Sequence, residues 1–252
     1  MTESPAPDHY SYTLYRDATT ARTFDDRRFG GPIGEIVAAT QARVISNFIG
    51  RIQGRRILDV GTGTGRAALF LARGAADVTA VDASEQMLAV ARDQAAAQGV
   101  HVRFQPGDAH ALAFPDRSFD VVVSLRVLMH TPGWRQVMRE LCRVADQLVI
   151  FDYPSRRSFA ALQAGARRVM HAAGVRTEPY HVFGRGEIER ELNANGYRIR
   201  SVHRQFVLPI SIHKAIGSRG FTLFVERALD RAGLLRAFGS PVTLVAERCA
   251  SS

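Results

Sequence analysis

Lysine is nearly absent from this 252-residue chain: Lys214 is the sole lysine among 33 basic Lys and Arg residues. The arginines are spread along the whole length, with no block of five or six like charges. The net charge of +9 therefore lacks the clustering by which basic proteins hold nucleic acid, and a bias towards arginine also arises from genome composition alone. Nucleic acid is not the expected partner. Cysteine is scarce too. Cys142 and Cys249 form no C-x-x-C pair and have no accompanying His cluster, which argues against a metal site. Cys142 falls inside an apolar helical pattern and reads as a small buried hydrophobe. No apolar run approaches the ~20 residues of a membrane-spanning helix. Met1 to His9 has no basic start, apolar stretch or cleavage site, so it does not read as a secretory signal. These absences give the expectation of a cytoplasmic protein with reduced thiols.

Hydrophobic residues make up 46% and charged residues 23% of the chain, ordinary for a globular protein. The length suits one domain with an elaborated cap. Residues 1–23 read as a flexible lead-in, and Tyr10, Tyr12 and Tyr15 within it as either a lid or plain aromatic packing. Residues 24–252 read as a single domain whose cap elements lie mainly within 155–235.

From Arg56 onwards strand and helix alternate. Arg56 to Val60, Asp77 to Val81, His101 to Gln105, Phe119 to Leu125 and Gln147 to Phe151 read as strands. Arg66 to Arg73, Ser84 to Gln98 and the stretch from Pro132–Gly133 to about Ala145 read as helices. Ser84 is an expected N-cap and Gly99 an expected stop. The apolar centre of Phe119 to Leu125 suits a strand buried on both faces. Such alternation implies a doubly wound α/β fold with a parallel sheet, whose ligands bind beyond the carboxyl ends of the strands. Later the pattern loosens. Helices are expected over Ser158 to Ala173 and Glu187 to Asn195, a strand over Tyr197 to Leu208, one or two helices over Lys214 to Arg231, and a last strand over Val242 to Ala246. The apolar runs Phe206 to Ile212 and Phe221 to Val225 read as core or as the lining of a pocket for a hydrophobic acceptor. An arginine-bearing apolar cap also leaves room for contact with an anionic membrane surface.

The chemistry concentrates in Asp59-Val60-Gly61-Thr62-Gly63-Thr64-Gly65-Arg66. Glycines at alternate positions after a strand remove Cβ atoms where the backbone turns, and the next helix presents its amides there. A dinucleotide fingerprint is G-x-G-x-x-G. Here Arg66 takes the place of the third glycine and Gly65 comes one residue early, a spacing less suited to a pyrophosphate. Asp82 ends the second strand, 21 residues after Gly61, close to the ~20 expected for an acid that receives ribose hydroxyls. Gly107-Asp108-Ala109 follows the third strand, where an aspartate can accept from an adenine amino group or simply stabilise a turn.

Taken together, residues 57–72, 78–88 and 107–123 resemble motifs I, II and III–IV of the class I S-adenosylmethionine-dependent methyltransferases. They are most similar to the small-molecule branch that includes the ubiquinone and menaquinone methyltransferases. The resemblance covers about 55–153, and Phe24 to Gly34 looks like that branch's lead-in helix. It implies a seven-stranded sheet of order 3-2-1-4-5-7-6 with the last strand antiparallel. It implies that Gly61, Gly63 and Gly65 pass the methionine part of S-adenosylmethionine, and Asp59 and Thr62 are counted with the cofactor-binding residues. Asp82 would hold the ribose, Ala83 and Met87 would border the adenosine, and Asp108 and Ala109 would meet the adenine. Leu125 and Arg126 would lie under the methionine end. The N-P-P-Y or D-P-P-Y tetrad of base N-methylating relatives is replaced by Ser124-Leu125-Arg126-Val127. His130, just beyond, is either a general base or a packing residue near the cofactor. Asp152 and Tyr153, after the fifth strand, are candidates to orient the acceptor. The expected reaction is methyl transfer to a small-molecule or lipid-like acceptor, with S-adenosylhomocysteine as product. The alternatives are an RNA methyltransferase, an NAD(P)-dependent oxidoreductase and a non-enzymatic cofactor-binding regulator.

Overall fold

The computed structural model describes residues 29–159, 161, 164, 165, 167 and 180–249. The expected lead-in over 1–23 and most of the expected helix over 158–173 lie outside them.

The chain enters on α1 (Gly31–Ile49), a helix opened by Pro32 in its first turn, where proline lacks only a hydrogen bond that would be unmade anyway. Only its first residues were anticipated from sequence. Then follow β1 (Arg56–Val60), α2 (Arg66–Arg73), β2 (Asp77–Asp82), α3 (Glu85–Gln98), β3 (Arg103–Pro106), β4 (Phe119–Ser124), α4 (Trp134–Val144) and β5 (Ala145–Tyr153). Ser84 caps α3 by accepting from Met87 N, and Gly99 ends it in the left-handed region. The third strand starts two residues later than its apolar pattern suggests, because pairing with β2 begins at Arg103. The fifth runs on through Asp152 and Tyr153, which pair with Thr243 and Val242.

The second half adds α5 (Arg185–Ala194), β6 (Tyr197–Phe206), α6 (Ile210–Ile216), α7 (Arg219–Arg231), α8 (Leu234–Phe238) and β7 (Ser240–Arg248). The sixth strand stops at Phe206 instead of reaching Leu208. The amides of Val207 and Leu208 donate to the Glu226 carboxylate of α7, at 2.8 and 3.1 Å, and are lost to any ladder. Pro209 then starts α6.

The seven strands lie in the order β3-β2-β1-β4-β5-β7-β6. β1 to β5 are parallel, and β7 runs antiparallel to both neighbours, as expected. The strands alternate between two cores. Ile57, Val121, Val123, Leu148 and Ile150 pack with α1, α2 and α3 on one face. Leu58, Val60, Val122, Val149 and Phe151 pack with α4 and α5 on the other. The α1-side core turns polar towards the strand ends. There Asp59 replaces an aliphatic residue on β1, and Asp152, Thr243 and His203 stand in register across β5, β7 and β6. Cys142 is buried on α4, which pushes its thiol up to about 12; both it and Cys249 are free. Among the described residues no helix is long and apolar enough to cross a membrane.

Candidate active site

The cavity of interest opens beyond the carboxyl ends of β1, β2 and β4 and extends under the N-terminal end of α1. Its wall includes Asp59, Gly61, Thr62, Gly63, Asp82, Ala83, Met87, Asp108, Ala109, Leu125, Arg126 and His130. Thus all the cofactor-side residues expected from sequence come together except Gly65, which does not border the cavity.

The three glycines are small for three different reasons. All have positive φ, at +69, +56 and +85° for Gly61, Gly63 and Gly65, where a side chain costs about 1–2 kcal/mol. A Cβ on Gly61 would also meet Val127 Cγ2 at 2.2 Å, and one on Gly65 would meet Ala91 Cβ at 2.9 Å on α3. Gly61 therefore admits the loop after β4, and Gly65 lets α2 and α3 approach. A Cβ on Gly63 would meet nothing within 4 Å. This is the glycine that keeps the cradle open to a ligand.

Carboxylates brace the turn. Thr62 Oγ1 donates to Asp59 Oδ2 at 2.7 Å. Burial raises the Asp59 carboxyl to about 6 despite that bond. Asp82 accepts from Gly63 N at 2.7 Å through one oxygen and from Ser84 N at 2.9 Å through the other. Each carboxylate oxygen has a further lone pair with which it can accept. Burial raises the Asp82 carboxyl and these amides counter the rise.

Further along, Asp108 Oδ1 accepts from His110 N and faces His110 Nδ1 at 2.8 Å. His110 Nε2 faces Pro132 O at 2.5 Å. The buried His110 ring therefore ties the loop after β3 to the loop before α4. Sequence reading missed it, because a histidine two residues beyond a turn aspartate carries no signal of its own. Arg66 was missed as a wall residue as well, although a signal was present. A cation at the first position of a helix opposes the macrodipole, so it needs another reason to be there. Arg66 bonds Gln41 Oε1 and lies 3.4 Å over the Phe29 ring, and these three side chains close the α1 end of the cavity.

Beyond β4, Arg126 has φ +63°, a conformation L side chains rarely adopt and one that recurs at functional sites. Its amide donates to Asp152 Oδ1. Val127 leads into a short 3-10 turn, Leu128–His130, which leaves His130 half-buried on the cavity wall. The two acceptor candidates from β5 are placed differently. Asp152 is buried on the α1 face beneath Arg126, and burial raises its carboxyl against the attraction of Arg126. Tyr153 points to the opposite core, its ring 6.0 Å from that of Phe183. Neither borders the cavity.

Residues 57–147 match the model of a family described as a methyltransferase domain. The chain is 41% identical over 105 residues to a demethylmenaquinone methyltransferase of Thermus thermophilus, covering 40% of this chain and 48% of that protein. It is 32% identical over 165 residues to a ubiquinone biosynthesis O-methyltransferase of Sinorhizobium medicae, covering 64% and 66%. With several of these relatives the match spans about half of their length or less. In fold the chain is similar to the magnesium protoporphyrin IX methyltransferase of Synechocystis solved with bound S-adenosylhomocysteine, with a TM-score of 0.65 at 21% identity over 94% of this chain and 99% of that one. A [4+2]-cyclase, SpnF, shares the fold with a TM-score of 0.61 at 21% identity, over 84% and 81%. The glycine turn, the strand-end aspartate and the strand order lead to the same place as these likenesses: the chain belongs to the class I S-adenosylmethionine-dependent methyltransferases.

Proposed function

We propose that this chain transfers the methyl group of S-adenosylmethionine to a small-molecule or lipid-like acceptor. The observation that carries the reading is the Asp82 carboxylate, fixed by Gly63 N and Ser84 N on the cavity wall. It is placed to take a ribose diol while Gly63 leaves room beside it. Asp108 and Ala109 are assigned to the adenine, Ala83 and Met87 to the adenosine flanks. Asp59, Gly61, Thr62 and Gly63 line the methionine part, with Leu125 and Arg126 at its far end. Gly65 acts one step back, through the packing of α2 on α3.

Bound there, S-adenosylmethionine supplies a methyl carbon of positive character on a sulfonium that departs as a neutral thioether. The protein's task is alignment and exclusion of water. Leu125 and Val127 give the reacting end apolar walls. His130, on the cavity wall, is assigned the proton that the acceptor atom releases on bonding to the methyl carbon. The small-molecule class rests on relatives named for quinone precursors and for 27-O-demethylrifamycin SV.

The test is transfer from methyl-labelled S-adenosylmethionine to a cell extract separated into lipid, small-molecule, RNA and protein fractions. Label in the lipid or small-molecule fraction, absent with Asp82→Ala, is the expected result. Label in RNA overturns the acceptor class. Failure of the wild-type protein to bind S-adenosylhomocysteine in a calorimeter overturns the cofactor. The role of His130 is tested separately: His130→Ala is expected to lower kcat by about 10²-fold or more with unchanged S-adenosylhomocysteine affinity, and an unaltered kcat removes it as the base.

A further inference from the structure

Asp108 and His110 form a unit on the cavity wall. The Asp108 side chain is 43% exposed, so packing alone does not fix its carboxylate. His110 is only 3% exposed and does the fixing. Its amide donates to Asp108 Oδ1 at 2.9 Å, and its Nδ1 faces the same oxygen at 2.8 Å. On the far side of the ring, Nε2 faces Pro132 O at 2.5 Å. The backbone that carries the ring is held from α4. Gln136 Nε2 donates to His110 O at 2.9 Å, and Glu140 Oε2 accepts from Leu112 N at 2.8 Å. The ring is thus a strut, fixed at one end and bearing on Asp108 at the other.

Proton counting gives the strut a direction. A carbonyl oxygen only accepts, so Nε2 carries a hydrogen. Nδ1 then meets a carboxylate oxygen, where two bare lone pairs would repel. One proton therefore lies between Nδ1 and Oδ1, whichever atom holds it. In both cases Oδ1 is engaged and Oδ2 is left as an acceptor. Among the described residues no protein donor reaches Oδ2. A base with an exocyclic amino group supplies the donor that this oxygen needs. A base with a carbonyl oxygen there sets two acceptors face to face.

We propose that His110 is a positioning residue for the choice of cofactor base: by fixing the Asp108 carboxylate it makes the cavity prefer adenine to a base that carries a carbonyl in place of the amino group. This rests on the methyltransferase reading and deepens it by naming what sets base specificity.

The test compares S-adenosylhomocysteine with S-inosylhomocysteine, in which a carbonyl oxygen replaces the adenine amino group, by calorimetry on the full chain. The wild type is expected to prefer the adenine compound by about tenfold or more. Two substitutions divide the ring between its nitrogens. His110→Asn keeps a donor where Nδ1 stands and loses the reach to Pro132, and it should retain most of the preference. His110→Gln keeps a donor towards Pro132 and loses the one facing Asp108, and it should reduce the preference to about threefold or less. A merely structural strut weakens both compounds alike and leaves their ratio unmoved. An undiminished preference in His110→Gln therefore overturns the proposal, and so does an equal loss of preference in both variants. Equal binding of the two compounds by the wild type overturns it as well. A preference that survives in Asp108→Ala does the same, by removing Asp108 from the base. If the wild-type chain binds neither compound, the methyltransferase reading itself fails, a distinct result.

Discussion

The two ends of this sheet are built on different principles. The β3-β2-β1-β4 end makes its cavity from backbone: three left-handed glycines, the amides of Gly63 and Ser84, and one carboxylate that they orient. The β7-β6 end is finished by side chains. Glu226 receives the amides of Val207 and Leu208 and faces His213 Nε2 at 2.9 Å, while His213 Nδ1 faces Thr222 Oγ1 at 3.1 Å. This network joins β6, α6 and α7 without a large apolar core between them. Ile210, Ile212, Ile216, Phe221 and Phe224 are left exposed on those helices. A backbone-made site tolerates few residue types. A side-chain-made region can be rebuilt in many ways.

The sharpest challenge to this contrast is a pair of substitutions within the glycine turn. Gly61→Ala adds a Cβ 2.2 Å from Val127 Cγ2 at φ +69°. Left-handed strain of about 1–2 kcal/mol and overpacking of about 1–3 kcal/mol together predict a loss of about 2–5 kcal/mol in denaturant titration. Adding Val127→Ala should recover the packing share and leave the strain. Gly63→Ala meets no atom, so only the strain of about 1–2 kcal/mol should appear, yet S-adenosylhomocysteine affinity should drop at least tenfold. If both variants lose stability equally and binding is unchanged by Gly63→Ala, the backbone does not make the site.

The cap offers the reverse experiment. Glu226→Gln replaces one acceptor oxygen with a donor facing an N–H or the His213 ring. Leaving such a group unmatched costs about 1–3 kcal/mol. Thermal unfolding should move down accordingly, while S-adenosylhomocysteine affinity stays within twofold. A loss of cofactor affinity as large as that of Gly63→Ala would show that the two ends are coupled.

How legible each end was in sequence follows the same division. The turn from Asp59 to Arg66, the Ser84 cap and Asp82 were readable, because conformations such as φ +56° at Gly63 narrow the residue choice to nearly one. The α/β alternation and strand order followed from apolar runs such as Val121 to Val123, and the resemblance supplied the order. What escaped was decided by partners distant in sequence. The end of β6 is set by Glu226, about 20 residues on. The inward turn of Tyr153 is set by Phe183. That Arg126 Nε lies buried without a hydrogen-bond partner is visible only once its neighbours are known. The body of α1 was missed because its glycine-opened start obscures the apolar stripe of Ile36, Val44, Ile45 and Phe48.

Acidity separates the two regions as well. Burial raises the Asp59 carboxyl from 3.8 to about 6. Above about pH 6 both folded and unfolded states are ionised, and the folded state bears the desolvation. As the pH falls towards 3.8 the folded state alone takes up the proton, so this group adds stability. By pH 5 the gain amounts to roughly 1.4 kcal/mol relative to pH 7.5. The stability difference between wild type and Asp59→Asn should grow in favour of wild type by that amount over this interval. A difference that does not vary with pH would remove burial of Asp59 as its cause.

The smallest effect is expected at Phe224 of α7, whose surface is 74% exposed. A phenylalanine in the sheet core, such as Phe151, loses about 3–5 kcal/mol on truncation to alanine because both transfer and cavity terms apply. Phe224 has little surface buried to lose, so Phe224→Ser should stay within about 0.5 kcal/mol of wild type in stability. The informative measurement is then the KM of transfer to the acceptor found in the extract assay. If the exposed apolar residues of α6 and α7 receive the acceptor's hydrophobic part, KM should rise severalfold with kcat unchanged, since uniform binding is lost without change at the reacting atoms. If KM stays constant, acceptor recognition is confined to the cavity wall around Leu125, Val127 and His130, and the contrast between the two ends narrows to that single boundary.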